Sequence, residues 1–290
     1  MIIVRFQGGI GNQLFQYALY RKLRHIGKEV YADLNTLRRS EEIRSYELDK
    51  LGLSVEEAPL EAINKIYPRG NDIVSKIARN SLYRNRCIKE RDFQKFDPVF
   101  LNSDNVFLSG YWQNEKYFED IGEDIYQDIE FRPINEKQNE EMLKKIHASN
   151  SVSVHIRLGD YINNPLYKDI CTKEYYLKAI ELIENRLQNV SFFIISDNIS
   201  EAHELLGGKK AEYIGFNKGD ASYYDMYLIS QCKHHIMANS SFSWWGVWMD
   251  RSSDNIVIAP SIWEKGIKSE EIWKESWNRI SPEGEVFLRS

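Results

Sequence analysis

Short apolar runs alternate with longer helical patterns along the chain, and this alternation predicts the fold class. Near the start, an apolar run at residues 2–6 leads into a cluster of glycines, a helical stretch at about 12–25 and a second apolar run at 29–33. A strand, a loop, a helix and a strand in this order usually begin a parallel sheet. The pattern therefore predicts an α/β fold from the first residues onward.

The middle of the chain has a weaker pattern. Residues 35–105 are rich in charge and contain only short helical patterns, such as 54–66. The sequence then predicts a buried strand at 106–109, a helix at 114–129, and a helix at 135–145 that leads to a domain boundary near residue 149. We therefore expect two domains, 1–148 and 149–290.

The second half of the chain alternates most clearly. It predicts a doubly wound sheet, in which ligands bind beyond the carboxyl ends of the strands. The last segment, 263–277, carries three Trp residues and predicts a packed C-terminal helix. The predicted strands are 152–156, 192–195, 212–214, 235–238 and 256–259, and the predicted helices between them are 173–187, 200–206, 222–231 and 242–249.

Composition narrows the class of protein. The 290 residues carry a net charge of −5, which argues against a general nucleic-acid binder because phosphate contacts need a basic face. The three Cys residues lie far apart with no zinc-ligand spacing, which is typical of free thiols in a reducing compartment. No stretch approaches the roughly 18 apolar residues of a membrane span. We expect a cytoplasmic protein without an integral membrane segment, held peripherally at the inner membrane face where its partner is lipid-linked.

The first candidate site is the glycine cluster, which reads Gly8-Gly9-Ile10-Gly11-Asn12-Gln13 between a strand and a helix. Glycines allow a tight turn and a close approach of the backbone to a ligand, and the N-terminus of the following helix favours an anion. The spacing is not GxGxxG, and the Lys-Ser/Thr pair of a P-loop is missing. A tight turn without any ligand explains the pattern equally well.

The second candidate site follows the strand at 152–156. Arg157 can bind two phosphate oxygens at once, and Asp160, three residues later, can hold that guanidinium or accept a proton. A structural ion pair is the alternative interpretation. Having His155 and Gly159 in the same short segment favours a functional site.

Two further strand ends carry polar side chains. Asp197 follows the strand at 192–195, where an Asp serves either in ribose or base recognition or as the N-cap of the next helix, and the cap is the default interpretation. Ser240 and Ser241 begin another helix and either bind an anion or cap that helix. We expect Trp244 and Trp245 behind them to belong to the core.

Taken together, four motifs resemble the α-1,2-fucosyltransferase family, the bacterial type of glycosyltransferase family 11. They occur in the family's order and span nearly the whole chain. The motifs are Gly8-Gly9-Ile10-Gly11-Asn12-Gln13-Leu14-Phe15-Gln16-Tyr17-Ala18, Gly110-Tyr111-Trp112-Gln113, His155-x-Arg157-x-Gly159-Asp160-Tyr161 and Ser240-Ser241-Phe242-Ser243-Trp244-Trp245.

The resemblance implies a GT-B-type fold with two Rossmann-like domains facing a central cleft. It also implies GDP-β-L-fucose as donor, the 2-hydroxyl of a β-galactoside as acceptor, and inversion to an α linkage. The N-terminal domain would face the acceptor, and the C-terminal domain would bind the donor. The irregular section 35–105 would then shape acceptor choice.

A more distant resemblance to α-1,6- and protein O-fucosyltransferases implies individual roles. It assigns guanine recognition to His155 and Asp225, and the diphosphate to Arg157 and Ser241. The family often has Arg-Arg where this chain has Arg157-Leu158, so Arg157 takes the phosphate role alone or is helped by a cation from elsewhere.

These observations give one set of expected site residues. No Asp-x-Asp triplet occurs, so we expect no metal and no cofactor, with the leaving diphosphate stabilised by Arg157, backbone N–H groups and helix dipoles. The candidate catalytic residues are Arg157 and Asp160, the latter as base or as the residue that orients Arg157. The candidate donor-binding residues are His155, Arg157, Asp197, Asp225, Ser240, Ser241, Gly8, Gly9, Gly11, Asn12 and Gln13.

Three alternatives stay open at the level of sequence. The first is a GT-B glycosyltransferase that uses another nucleotide sugar. The second is a nucleotide- or carbohydrate-binding protein without turnover, which the 13% aromatic content suggests. The third is a dinucleotide oxidoreductase, against which the spacing of the glycine cluster argues.

Overall fold

The computed structural model describes residues 1–38, 45–68, 85–90, 95–132, 136–267 and 271–288, and four single positions between 73 and 83. The chain divides into two compact units, Met1–Arg132 and Pro133–Ser290. The division comes earlier than the predicted 148/149. The helix Lys137–His147 belongs to the second unit because it packs on that unit's first strand and buries Ile146 completely. Because the rest of its sequence is polar, the predicted boundary fell after this helix instead of before it.

The first unit has a four-stranded parallel sheet in the order β2-β1-β4-β3. Strand β1 lies inside the sheet, and Ile2, Ile3 and Val4 are completely buried, as expected for a strand covered on both faces. The elements are β1 (Ile2–Arg5), α1 (Ile10–His25), β2 (Val30–Asp33), α2 (Leu60–Ile66), β3 (Cys87–Lys89), β4 (Val106–Ser109) and α3 (Gly122–Asp128).

Two helix predictions for this unit are wrong in extent. The helix predicted at 54–66 begins only at Leu60, because Ala58 pairs with Ala32 of β2 and Pro59 precedes the helix. The helix predicted at 114–129 is two 3₁₀ turns followed by α3. The side chain of Asn114 caps the first turn, and the backbone at Phe118 (φ −143°) interrupts the helical conformation.

The second unit has a seven-stranded sheet in the order β11-β10-β9-β8-β5-β6-β7, in which only the β10–β11 pair is antiparallel. The predicted alternation of strands and helices is confirmed. The elements are α4 (Lys137–His147), β5 (Asn150–Ile156), α5 (Lys173–Arg186), β6 (Val190–Ser196), α6 (Ile199–Leu205), β7 (Glu212–Ile214), α7 (Tyr223–Ser230), β8 (His234–Ile236), α8 (Ser241–Trp248), β9 (Val257–Pro260), β10 (Asn278–Ile280) and β11 (Val286–Phe287).

The predicted C-terminal helix is wrong. The described residues between 263 and 277 form turns, and the three Trp side chains bury themselves against one another instead of along a helix face. The ring centroids of Trp263 and Trp273 are 5.1 Å apart, and those of Trp273 and Trp277 are 6.4 Å apart. Strands β10 and β11 beyond them are too short to give a pattern in the sequence.

Each sheet has a point where the strand order reverses. In the second unit the chain proceeds from β5 to β6 and β7 on one side, and β8 begins on the other side of β5. In the first unit β2 lies on one side of β1, and β4 lies on the other. Ligands of doubly wound sheets bind outside the carboxyl ends of the strands at such points. This rule predicts ligand sites at the loops that follow β5 and β8 in the second unit, and at those that follow β1 and β4 in the first.

Candidate active site

The loop after β5 fixes the guanidinium of Arg157 between two carboxylates. Its Nη2 lies 2.6 Å from Oδ1 of Asp160, and its Nη1 lies 2.9 Å from Oδ2 of Asp197. The side chains of Arg157 and Asp197 are 22% and 27% exposed, whereas that of Asp160 is 62% exposed. The ring of Tyr161 packs 5.6 Å from the guanidinium carbon. Arg157 is thus oriented from three directions and still reaches solvent.

Asp197 does not cap the helix that follows it, which corrects one of the two sequence interpretations. The N-cap of α6 is Asn198, whose side chain accepts from the backbone N–H of Glu201. Asp197 instead accepts from the backbone N–H of Leu158 at 3.0 Å and pairs with Arg157. The β5–β6 register explains the contact, because Ile156 pairs with Ser196 and the next residue of each strand follows directly.

Gly159 makes this arrangement possible. A Cβ atom at this position would lie 2.6 Å from Oδ2 of Asp197, closer than two such atoms can approach. The absence of a side chain therefore lets the carboxylate reach Arg157. Leu158, which stands where the family often has a second Arg, packs its side chain against the hydrophobic core.

His155, near the carboxyl end of β5, is a buried and neutral imidazole. Burial, the largest cause, and the charge of Arg157 together lower its pKa to about 4, while the charge of Asp197 opposes the shift. Its ring packs 5.5 Å from that of Phe242. Within the described residues, Nδ1 of His155 is buried without a hydrogen-bond partner. An unsatisfied buried nitrogen is costly, so this atom is suited to a ligand.

The loops after β5 and β8 are in direct contact. The hydroxyl of Tyr161 donates to the backbone carbonyl of Asn239 at 3.2 Å, and burial raises the pKa of this phenol to about 12. Asn239 in turn donates to the carbonyl of Trp263 at 3.0 Å. The contact places Arg157 and the start of α8 on the same edge of the sheet.

Helix α8 begins at this edge with two serines. Ser240 is the N-cap, since its hydroxyl accepts from the backbone N–H of Phe242, so the capping interpretation holds for this residue. Ser241 is the first helical residue and is half-buried. Trp244 and Trp245 are completely buried, as expected for core residues. Of the two candidate donor-binding serines, Ser240 serves as the cap, so Ser241 is the one whose hydroxyl is the better candidate to bind a ligand.

Asp225 lies on α7 in a buried polar cluster. Its Oδ1 accepts from Nδ2 of Asn217 at 2.7 Å, and Asn217 exchanges two further hydrogen bonds of 2.9 Å with Asn139. Burial raises the pKa of Asp225 to about 7, and the bond from Asn217 opposes this shift. A buried carboxylate held by an amide instead of a cation is expensive to maintain, which is typical of a ligand-binding group.

Close packing of α7 on α8 positions this carboxylate relative to the start of α8. Gly246 of α8 allows the contact, because a Cβ atom there would lie 2.7 Å from Cγ2 of Ile229 and 3.4 Å from the carbonyl of Met226. The two helices therefore present Asp225 and Ser241 from one rigid pair.

A buried Ser153–His235–Asp250 chain joins β5 to β8 beneath this edge. Nδ1 of His235 lies 2.8 Å from Oγ of Ser153, and its Nε2 lies 2.9 Å from Oδ2 of Asp250. The order resembles a hydrolytic triad, yet Ser153 is 1% exposed and His235 is completely buried. No substrate reaches this serine, and the chain serves to hold the two strands together.

In the first unit, the glycine cluster follows β1 and turns tightly into α1. Gly8 has a φ of +79°, and a Cβ atom there would lie 2.6 Å from Nδ2 of Asn12. Gly9 caps α1 without a side-chain bond, so backbone N–H groups of the first turn point out of the helix. Gly8, Gly9 and Asn12 are half-buried, whereas Gly11 is buried.

Two glutamines of this motif are structural. Gln13 is completely buried and donates to the carbonyls of Gly8 and Ser45 while it accepts from the N–H of Glu47. Its amide is thus committed to the backbone and fixes the loop. Gln16, also completely buried, donates to the carbonyl of Gly110 in the loop after β4.

The loop after β4 is itself locked onto the glycine cluster. Nε2 of Gln113 donates to Oδ1 of Asn12 at 2.7 Å. The carboxylate of Glu90 accepts from the N–H groups of Tyr111 and Trp112, at 2.6 and 2.9 Å. Only the family resemblance marked this loop in the sequence, and its link to Asn12 explains why the two motifs occur together.

The described part of the chain contains no group of three or more His, Cys, Asp or Glu side chains placed to hold a metal ion. Over the same residues, no helix is both long and apolar enough to cross a membrane.

Comparisons with known proteins place the fold and site in a class. The chain is 34% identical to an α-1,2-colitosyltransferase of Escherichia coli, over 97% of this chain and 99% of that protein. It is 22% identical to galactoside α-(1,2)-fucosyltransferase 1 of Ateles belzebuth, over 60% of this chain and 50% of that protein. A crystal structure of the NodZ α-1,6-fucosyltransferase soaked with GDP-fucose superposes with a TM-score of 0.50, at 15% identity, over 86% of this chain and 92% of that chain.

The two mainly parallel sheets, the polar clusters at their switch points and these similarities define a glycosyltransferase of the GT-B class, with two Rossmann-like domains. The family model described as glycosyl transferase family 11 matches residues 1–281. The chain belongs to this family, and the resemblance drawn from the four motifs is confirmed.

Proposed function

We propose that this glycosyltransferase moves L-fucose from GDP-β-L-fucose to the 2-hydroxyl of a terminal β-galactoside, forming an α-1,2 linkage in a surface polysaccharide or oligosaccharide. The observation that carries the proposal is Arg157, held between Asp160 and Asp197 at the switch point of the second sheet. The family membership and the similarity to an α-(1,2)-fucosyltransferase support the linkage and the sugar.

In this proposal the guanine base binds to His155 and Asp225. Neutral imidazole offers one donor and one acceptor, and Nδ1 of His155 is buried without a partner among the described residues. The carboxylate of Asp225 can accept from both N1–H and the exocyclic amine of guanine. Adenine offers no such pair of adjacent donors, so the arrangement favours GDP.

The diphosphate is assigned to Arg157, Ser241 and the first turn of α8. The guanidinium carries a permanent charge that can neutralise the departing diphosphate, and free N–H groups of a helix N-terminus add to it. The sequence lacks the Asp-x-Asp triplet with which many sugar-nucleotide enzymes hold a divalent cation. We therefore propose a metal-independent reaction.

The chemical step is a single displacement at the anomeric carbon. The bond from that carbon to the β-phosphate oxygen breaks, and GDP leaves with the electron pair toward Arg157. The acceptor 2-hydroxyl attacks from the opposite face, which inverts the centre. We assign its proton to Asp160, since this is the more exposed of the two carboxylates on Arg157.

A colitosyl donor is the second candidate, favoured by the 34% identity to an α-1,2-colitosyltransferase over nearly the whole chain. Colitose is the 3-deoxy analogue of fucose, so the two donors differ in one hydroxyl. The proposed roles of His155, Asp225 and Arg157 are the same for either sugar, because they contact only the nucleotide.

Release of GDP from GDP-fucose and from GDP-colitose, with lactose or N-acetyllactosamine as acceptor, tests the proposal. We expect acceptor-dependent release from GDP-fucose that persists with EDTA, and a strong decrease in Arg157→Ala. Preference for GDP-colitose would replace the proposed sugar, and loss with EDTA would refute metal independence. GDP competing no better than UDP would refute the assignment of the base.

A further inference from the structure

Asp225 is one end of a buried hydrogen-bond chain whose other members have no part in the reaction described so far. Asn139 is completely buried and Asn217 is 5% exposed. They lie 78 residues apart in the sequence and come from different elements, α4 and the loop after β7. Burying two amides is costly unless they are fully paired.

The two amides are paired reciprocally. Nδ2 of Asn139 donates to Oδ1 of Asn217, and Nδ2 of Asn217 donates to Oδ1 of Asn139, both at 2.9 Å. The second N–H of Asn217 donates to Oδ1 of Asp225 at 2.7 Å. Turning the Asn217 amide over would set its oxygen against the carboxylate, so only one orientation satisfies all three groups.

This pairing matters because the terminal torsion of an aspartate is soft. Rotation about that bond has broad, roughly two-fold preferences, and a lone carboxylate samples many planes. The bond from Asn217 selects one plane and leaves Oδ2 and the second lone pair of Oδ1 for a ligand. Two adjacent N–H donors of a base can then be met at once, whereas a rotated carboxylate meets only one.

We propose that Asn217, held in place by Asn139, is a positioning residue that sets the preference of the nucleotide site for guanine over hypoxanthine. The inference rests on the proposed binding of guanine by Asp225. Hypoxanthine keeps N1–H and lacks the exocyclic amine, so inosine diphosphate reports the loss of the second hydrogen bond directly.

Calorimetric titration of GDP and inosine diphosphate into the full chain tests the proposal. Wild type should prefer GDP by about tenfold or more, and Asn217→Ala should bring the ratio close to one. Asn139→Ala keeps Asn217 as the donor to Asp225 but removes the partner that holds the Asn217 side chain, so it should lower the ratio by a smaller factor. The matched control is Asn278→Ala, which removes another buried amide of the second unit, one that donates from β10 to the carbonyl of Val257 in β9.

The outcomes separate the inference from the proposed function. A selectivity lost in Asn217→Ala and kept in Asn278→Ala supports positioning, because general destabilisation would affect both ligands alike. A ratio unchanged in both Asn139→Ala and Asn217→Ala but abolished in Asp225→Asn would overturn the positioning role and leave the guanine assignment intact. A ratio unchanged in Asp225→Asn would overturn both.

Discussion

Replacing Asp197 by Asn isolates the contribution of one carboxylate to the orientation of Arg157. The amide has the same shape as the carboxylate. Its oxygen can still accept from the N–H of Leu158, which lies 3.0 Å from Oδ1 of Asp197 in the wild-type chain. The amide nitrogen would then face Nη1 of Arg157, which sets donor against donor. The other partner of Arg157, Asp160, is unchanged.

The size of the effect follows from the contact that is lost. A hydrogen bond to a charged group contributes about 1.5–3 kcal/mol, and the two side chains here are 22% and 27% exposed, so water replaces it only in part. With about 1.36 kcal/mol per tenfold in rate, kcat should fall roughly 10- to 150-fold. Removing a negative charge also raises the potential at the diphosphate site, so GDP affinity should stay equal or increase.

Initial rates of GDP release at saturating acceptor, with GDP affinity from calorimetry, give the two quantities separately. Asp169→Asn is the matched control, since Asp169 forms an exposed pair with Lys265 at 3.3 Å in the same unit. Such surface pairs contribute little, so its kcat should stay at the wild-type value.

A kcat within twofold of wild type in Asp197→Asn would refute the reasoning, since Arg157 would then need no second carboxylate. A weaker GDP affinity with unchanged kcat would also refute it, because it would show that Asp197 serves binding and not the displacement. An equal decrease in Asp169→Asn would point to a general change in the second unit.

Three other features give independent predictions. Because burial raises the pKa of Asp225 from 3.8 to about 7, ionisation of this carboxyl group costs folding stability as pH rises through that interval. Asp225→Asn should therefore have a higher Tm than wild type at about pH 8, lose this advantage near pH 4, and bind GDP more weakly. Equal Tm values at pH 8 would contradict the shift. Gly246→Ala should lower the free energy of unfolding by about 1–2 kcal/mol in urea titrations, since its Cβ atom overlaps Ile229. Ile229→Ala should then cost less stability in the Gly246→Ala background than in the wild-type chain, because it removes the overlap. Asp250→Ala should lower the free energy of unfolding by about 3 kcal/mol, because Nε2 of the buried His235 loses its partner. A variant as stable as wild type would show that the Ser153–His235–Asp250 chain does not hold β5 and β8 together.

Strands with buried apolar residues within or directly after them were predictable from the sequence. Strands β5, β6 and β8 appear where the sequence predicts them, within one or two residues at each end, because strands covered on both faces leave a strong signal. The three-residue edge strand β3 and the short β10 and β11 bury too little to leave one. The segment with Trp263, Trp273 and Trp277 had a helix-like spacing, but indole–indole packing between turns accounts for it instead.

Contacts within one loop were predictable because their partners lie close together in the sequence. The pairing of Arg157 with Asp160 follows from a spacing of three residues in a single turn. The cap of α8 by Ser240 follows from serines placed between a strand and a helix. Family resemblance suggested the proposed roles of residues that no local pattern distinguishes, above all Asp225.

Sequence by itself determined most of the strands, the two-domain α/β class and the family, because apolar periodicity and short motifs encode these locally. Tertiary structure alone decided that Asp197 pairs with Arg157 instead of capping α6, because the parallel register of β5 and β6 brings the two strand ends together. It also decided that Gln13 supports the glycine cluster from inside, and that Asn139 and Asn217 orient Asp225. Side chains far apart in the chain become partners only when the packing of the elements fixes their distance.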